Sequence, residues 1–99
     1  MESSMESFDV YFFFNSIRFN KKELYKASVI KKSNLPSHIY NVVIDDRLLQ
    51  NYYGAFNIVK KDNQWKLDYL GDIDFFNLKI EISKAIEMYE SYSSEYIRD

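Results

Sequence analysis

The chain contains no cysteine, and only two glycines, one proline and one histidine in 99 residues. Each scarcity removes a class of protein. Without thiols there is no disulfide framework, no cysteine nucleophile and no cysteine-ligated zinc. A single histidine also excludes zinc held by a histidine cluster. Gly54 and Gly71 lie 17 residues apart, too far for a glycine-rich phosphate loop. So little glycine and proline rules out a collagen-like chain or a linker. The apolar run through Tyr11–Phe14 is far too short to cross a bilayer. Neither sign of charge dominates, with 13 basic and 15 acidic residues and a net charge of −2. Residues 1–7 are acidic and polar and lack the basic-then-apolar pattern of a secretory leader. The expectation is a cytoplasmic chain with a flexible tail over residues 1–7 and one globular domain over 8–99.

What the chain has in quantity is apolar bulk: 46% of residues are hydrophobic and 18% aromatic. That composition argues against disorder. At 11.9 kDa, a folded surface of roughly 6,000 Å² is expected against about 17,000 Å² unfolded, enough burial for one core. Nine tyrosines also allow an outer surface suited to contacts.

Phe8, Val10, Phe12 and Phe14 alternate with Asp9, Tyr11, Phe13 and Asn15, a period of two that predicts a strand. Ile17 and Phe19 fall out of phase, so a bulge or break is expected at residues 15–16. After a polar turn, Tyr25, Ala27 and Val29 alternate with Lys26, Ser28 and Ile30 as a second strand. Residues 31–37 are expected as a loop kept extended by Pro36. Tyr40, Val42 and Ile44 mark a third strand. Asp45 and Asp46 precede an apolar cluster at Leu48, Leu49, Tyr52 and Tyr53, and Gly54 follows; this spacing predicts a short helix near 46–53.

Phe56, Ile58 and Lys60 form one face of a fourth strand, and Trp65, Leu67 and Tyr69 one face of a fifth. Asp62 and Asn63 tolerate the positive φ of a two-residue hairpin loop. That loop sets the pairs 61:64, 60:65, 58:67 and 56:69, and lays Lys60 across from Trp65 as a cation–π contact. Beyond Gly71, with Asp72 or Asp74 as the cap, Phe75, Leu78, Ile82, Ile86 and Tyr89 recur at helical spacing to about residue 97. The expected fold is α+β: a two-layer domain with a mostly antiparallel sheet of about five strands, in the order β-β-β-α-β-β-α. One long C-terminal helix packs the sheet, with the short helix beside it.

Charge is uneven. Residues 15–66 hold ten basic and four acidic side chains, whereas 67–99 hold three basic and eight acidic. The doublets Lys21-Lys22, Lys31-Lys32 and Lys60-Lys61 each fall at or beside an expected turn. They form a candidate basic rim for nucleic acid, or the ordinary lysines of exposed turns and edges.

Catalytic constellations are missing. Asp45, Asp46, Asp68, Asp72 and Asp74 permit a divalent-metal site by composition, yet helix caps and loop charges account for all five. Residues 72–77 depart from an EF-hand loop at its fifth and sixth positions. His38 is expected in a solvated loop, with no nucleophile elbow to serve. No catalytic residue, cofactor or metal is expected.

Interaction surfaces are more legible. Tyr11 and Phe13 make the first strand apolar on both faces, and one long helix can cover only one of them; either the short helix near 46–53 covers the second, or that face takes a partner or a second copy. A helix over 74–97 is about 36 Å long, whereas six-residue strands span about 20 Å. Its last turns, carrying Met88, Tyr89, Tyr92 and Tyr96, are therefore expected to overhang and to take a partner. The function expected is that of a small non-enzymatic protein-binding protein: an inhibitor, an immunity-type protein or an accessory subunit, with a protein partner or a second copy. A nucleic-acid module using the lysine doublets is the alternative, and a small-molecule or divalent-metal domain the next. No membrane contact is expected.

Overall fold

The structure is a computed structural model that describes residues 4–98, and side chains over 5–92. Five strands and two helices follow one another: β1 (Ser4–Ser16), β2 (Lys21–Asn34), β3 (Ser37–Ile44), α1 (Arg47–Tyr53), β4 (Phe56–Lys61), β5 (Gln64–Lys66) and α2 (Ile73–Arg98). The strands form one curled antiparallel sheet in sequential order, β1-β2-β3-β4-β5. The expected α+β architecture is therefore present. No described helix is long and apolar enough to cross a membrane.

The strands are longer than their apolar patterns suggest. β1 starts at Ser4, inside the segment expected as a tail, and pairs without a bulge from Ser4↔Ser33 to Ser16↔Lys21. The expected break at 15–16 is absent. Ser16 stays in phase and is fully buried, and the slip at Ile17 and Phe19 is the hairpin turn itself, where Asn20 takes a φ of 50°. The loop expected over 31–37 is also corrected. β2 continues to Asn34, only Leu35 and Pro36 turn the chain, and Asn34 pairs with Ser37.

Elsewhere local chemistry decides. Asp46 caps α1, its carboxylate accepting from Leu49 N at 3.1 Å, and Gly54 ends the helix at a φ of +66°. Asp62 and Asn63 take φ values of 54° and 63°, and the loop sets the pairs Lys61↔Gln64 and Lys60↔Trp65. Lys60 Nζ lies 5.2 Å from the centre of the Trp65 ring, as expected. β5 ends at Lys66, however, so the pairs 58:67 and 56:69 do not form; Tyr69 turns outward and meets the edge of Phe76. Asp72 caps α2 by accepting from Phe75 N at 3.1 Å.

The core lies on one side of the sheet. Phe8, Val10, Phe12 and Phe14 of β1, Ala27 and Val29 of β2, and Tyr40 and Val42 of β3 point toward Leu78, Ile82 and Ile86 of α2, which are fully buried. α1 stands on this same side: Leu49 joins the core and Tyr53 stacks on Phe75 with ring centres 4.6 Å apart. The overhang of α2 has no basis at the expected strand length, because 13 residues of β1 extend about 44 Å, matching about 39 Å for 26 helical residues.

Polar contacts fix α2 at both ends. Near its start the buried Asp74 accepts from Ser16 Oγ at 2.8 Å, Ile17 N at 2.7 Å and Tyr53 Oη at 3.2 Å, joining the first hairpin turn, α1 and α2. Farther along, Phe8 stacks on Tyr89 at 4.2 Å. Glu90 there accepts from Tyr40 Oη at 3.0 Å and Lys31 Nζ at 2.6 Å. Deleting the carboxylate at Asp74 strands three donors at once, and an unmet buried donor costs about 1–3 kcal/mol. Asp74→Ala is expected to lower unfolding free energy in urea by about 3 kcal/mol, and Asp74→Asn by less.

Candidate interaction surface

A pleated strand sends alternate side chains to opposite faces, and this sorts the lysine doublets. Lys21, Lys31 and Lys60 point toward the helix side and are neutralised there. Lys21 Nζ lies 3.6 Å from Asp46, Lys31 bonds Glu90, and Lys60 bonds Glu87, which also accepts from Trp65 Nε1 at 3.0 Å. Their partners in the doublets, Lys22, Lys32 and Lys61, are exposed on the opposite face and make no ion pair with a described residue. The six-lysine rim is thus two sets of three with different roles.

The face opposite α2 has no cover among the described residues. Tyr11 and Phe13 are 62% and 66% exposed, and Leu24, Ile30 and Ile39 lie open on the same face. Phe13 faces Leu24 and Tyr11 faces Lys26 across β1 and β2. The total surface of 6910 Å² exceeds the roughly 6,000 Å² of a typical chain this size.

The outer edge of β1 is the second open feature. β1 ends the sheet order and has no strand on its far side. Beside it, Asp9, Val10 and Tyr11 meet Met88, Tyr89 and Tyr92 of α2 around a shallow cleft of about 350 Å³. Of the expected contact residues, Tyr11, Met88, Tyr89 and Tyr92 therefore line one cleft. Phe13 lies farther along β1 on the bare face. The side chain of Tyr96 lies outside the described residues.

Of the acids expected as caps and loop charges, Asp46 and Asp72 are caps, whereas Asp74 is a buried acceptor for Ser16, Ile17 and Tyr53. Asp45 lies 3.7 Å from Lys26 Nζ, and Asp72 caps α2 and pairs with Arg18 at 2.7 Å. Among the described residues no three acids or histidines gather into a metal-binding group. The Phe75 N–H holds the Asp72 carboxyl below its usual range, and the Lys60 ammonium does the same for Glu87. Asp74, a buried hub for three elements, escaped sequence reasoning; its partner Ser16 is 58 residues away.

His38 lies in β3, not in a loop, because the hairpin closes at Leu35-Pro36. Its Nδ1 is 2.8 Å from Ser33 Oγ on the paired strand. Burial, and then the Lys31 charge, push the imidazole below its usual value. No carboxylate bonds its other ring nitrogen among the described residues, so the pair lacks the third group that orients a catalytic base.

Tyr40 is fully buried, and burial together with the Glu90 carboxylate raises its pKa far above the ordinary value of 10.0. The folded state thus keeps a proton that the unfolded chain releases near pH 10, and stability falls as pH rises through that value. Thermal unfolding followed from neutral pH upward is expected to show this loss, and Tyr40→Phe to lessen it, the remainder coming from Tyr53, which burial and the Asp74 carboxylate also raise.

No protein-family model matches the chain, and no curated protein or solved structure is significantly similar to it.

Proposed function

We propose that the protein is a small non-enzymatic binding protein, cytoplasmic in setting, that takes a protein partner as an added strand on the free edge of β1. One observation carries this reading: β1 is a long edge with few of the usual guards, its only charged residues being Glu6 and Asp9. It runs for 13 residues with no proline, no lysine or arginine, and no bulge in its register. Exposed edges of this kind are ordinarily blunted by such devices, because their unpaired backbone groups accept another strand. β5, the other edge, is only three residues long and ends in Lys66.

Strand addition supplies main-chain hydrogen bonds, and side-chain pockets supply selectivity. Here the pocket is the cleft beside Met88, Tyr89 and Tyr92. Tyrosine and methionine are enriched where proteins meet. The incoming strand belongs to another protein or to a second copy of this chain. Among the described residues no nucleophile, base and orienting acid come together, and this supports the non-enzymatic part of the reading.

Met88 and Tyr92 are 74% and 72% exposed, so changing them leaves the core intact. Met88→Glu combined with Tyr92→Glu puts two carboxylates in the cleft. A tagged wild-type chain drawn from its native cells is expected to retain a partner, or to sediment as a dimer, and the double variant to lose that state. Unfolding free energies should differ by no more than about 0.5 kcal/mol for each surface change. A partner held equally by both proteins, or a wild-type monomer without partner across the micromolar range, contradicts the reading.

A further inference from the structure

The bare face of the sheet is basic as well as apolar. Lys22, Lys26 and Lys32 of β2, Lys61 of β4 and Lys66 of β5 point to it, against Asp9 and Asp45 among the described residues, with Asp62 in the turn after Lys61. Asp45 engages Lys26, and the other four lysines have no ion pair among the described residues. Of the α2 acids, Glu87 and Glu90 hold Lys60 and Lys31 on the other side, and Glu81, which shares a cleft with Phe13 and Lys22 at the β1 edge, pairs with Lys84. A net charge of −2 therefore conceals a positive face. Edge protection accounts for Lys66 on β5 but not for Lys22, Lys26, Lys32 and Lys61 on inner strands, and the long edge β1 has no lysine.

The layout has a polymer's proportions. Lys22 and Lys32 are ten residues apart on one strand, about 34 Å. One row of cross-strand neighbours, Met5–Lys32–Ile39–Val59–Lys66, carries the charge across all five strands. Phe13, between the levels of Lys22 and Lys26, and Tyr11, directly across from Lys26, stand about 7 Å apart along β1, open and on the same face. Lysines that track a phosphate backbone and aromatic rings that stack unpaired bases together bind single strands without reading sequence.

We infer that the bare face binds single-stranded nucleic acid, with Lys22, Lys32, Lys61 and Lys66 on phosphates and Phe13 and Tyr11 under bases. A duplex offers no free base faces to those rings, so a single strand is the occupant that uses both features. This surface is distinct from the β1–α2 cleft, with Tyr11 at the border of the two, and it stands whether or not a strand docks there.

The probe is a fluorescein-labelled thymidine or uridine oligomer of about ten nucleotides, titrated by anisotropy at several salt concentrations. Four phosphate contacts predict a log–log salt slope of about −3, so a fourfold rise in salt weakens binding roughly 50-fold. Lys32→Glu with Lys66→Glu is expected to flatten the slope by about half and to weaken binding at least tenfold at low salt. Phe13→Ala is expected to weaken binding about tenfold while leaving the slope unchanged. Lys84→Glu, a charge reversal of the same kind at one site on the exposed side of α2, serves as the control and should alter affinity less than about twofold, against the several-fold loss expected for Lys32→Glu alone. Absence of binding at low salt overturns the inference. So does an equal loss in the Lys84 variant, or a polyglutamate chain that competes as well as the oligomer, since an acidic protein would then be the ligand.

Discussion

A sheet has two faces, and this chain supplies helix for only one of them. α1 and α2 both pack on the side lined by Phe12, Val29, Val42 and Ile58, and their own Leu49, Leu78, Ile82 and Ile86 complete that core. Covering the same side twice leaves Tyr11, Phe13, Leu24, Ile30 and Ile39 in water. Scattered exposed apolar residues need no explanation, but here Phe13 faces Leu24 across β1 and β2, and Ile30 and Ile39 gather in a second cluster about 20 Å along β2. The candidate surfaces of this molecule follow from that imbalance.

The same imbalance organises charge. A strand's pleat sends adjacent lysines to opposite sides, so each doublet gives one lysine to α1 or α2 and one to the bare face. The inward lysine bridges sheet and helix, as Lys31 does between β2 and Glu90. It is a half-buried contact in which Lys31 also lies 5.6 Å from the centre of the Tyr40 ring. The outward lysine has only solvent or a ligand to meet. The same three dipeptides thus contribute both to the packing of helix on sheet and to the surface potential.

Much of the fold could be read from the sequence because its signals are local. Asp62 and Asn63 tolerate positive φ, Asp46 and Gly54 bracket one helix turn by turn, and Leu78, Ile82 and Ile86 repeat at helical spacing. What stayed hidden depends on partners distant in sequence. Lys31 to Asn34 carry no apolar alternation, yet they are strand, because Glu90 satisfies Lys31 and His38 satisfies Ser33. Ser16 reads as a break in the pattern, yet it is core, because Asp74 accepts its hydroxyl hydrogen. Met88, Tyr89 and Tyr92 were legible as contact residues, but not their meeting with Tyr11 in one cleft. Nor could the pattern tell which lysine of each doublet faces the helices, since that follows from the true length and phase of β2.

Lysine acetylation read by mass spectrometry, site by site in the native protein, tests the arrangement directly. Lys21, Lys31 and Lys60 have side chains 34%, 16% and 11% exposed and are held by carboxylates. The account predicts that Lys22, Lys32 and Lys61 each react faster than the lysine beside them. Equal rates within the doublets, or the reverse order, would mean that the helices do not cover that side of the sheet, and the bare face would cease to exist.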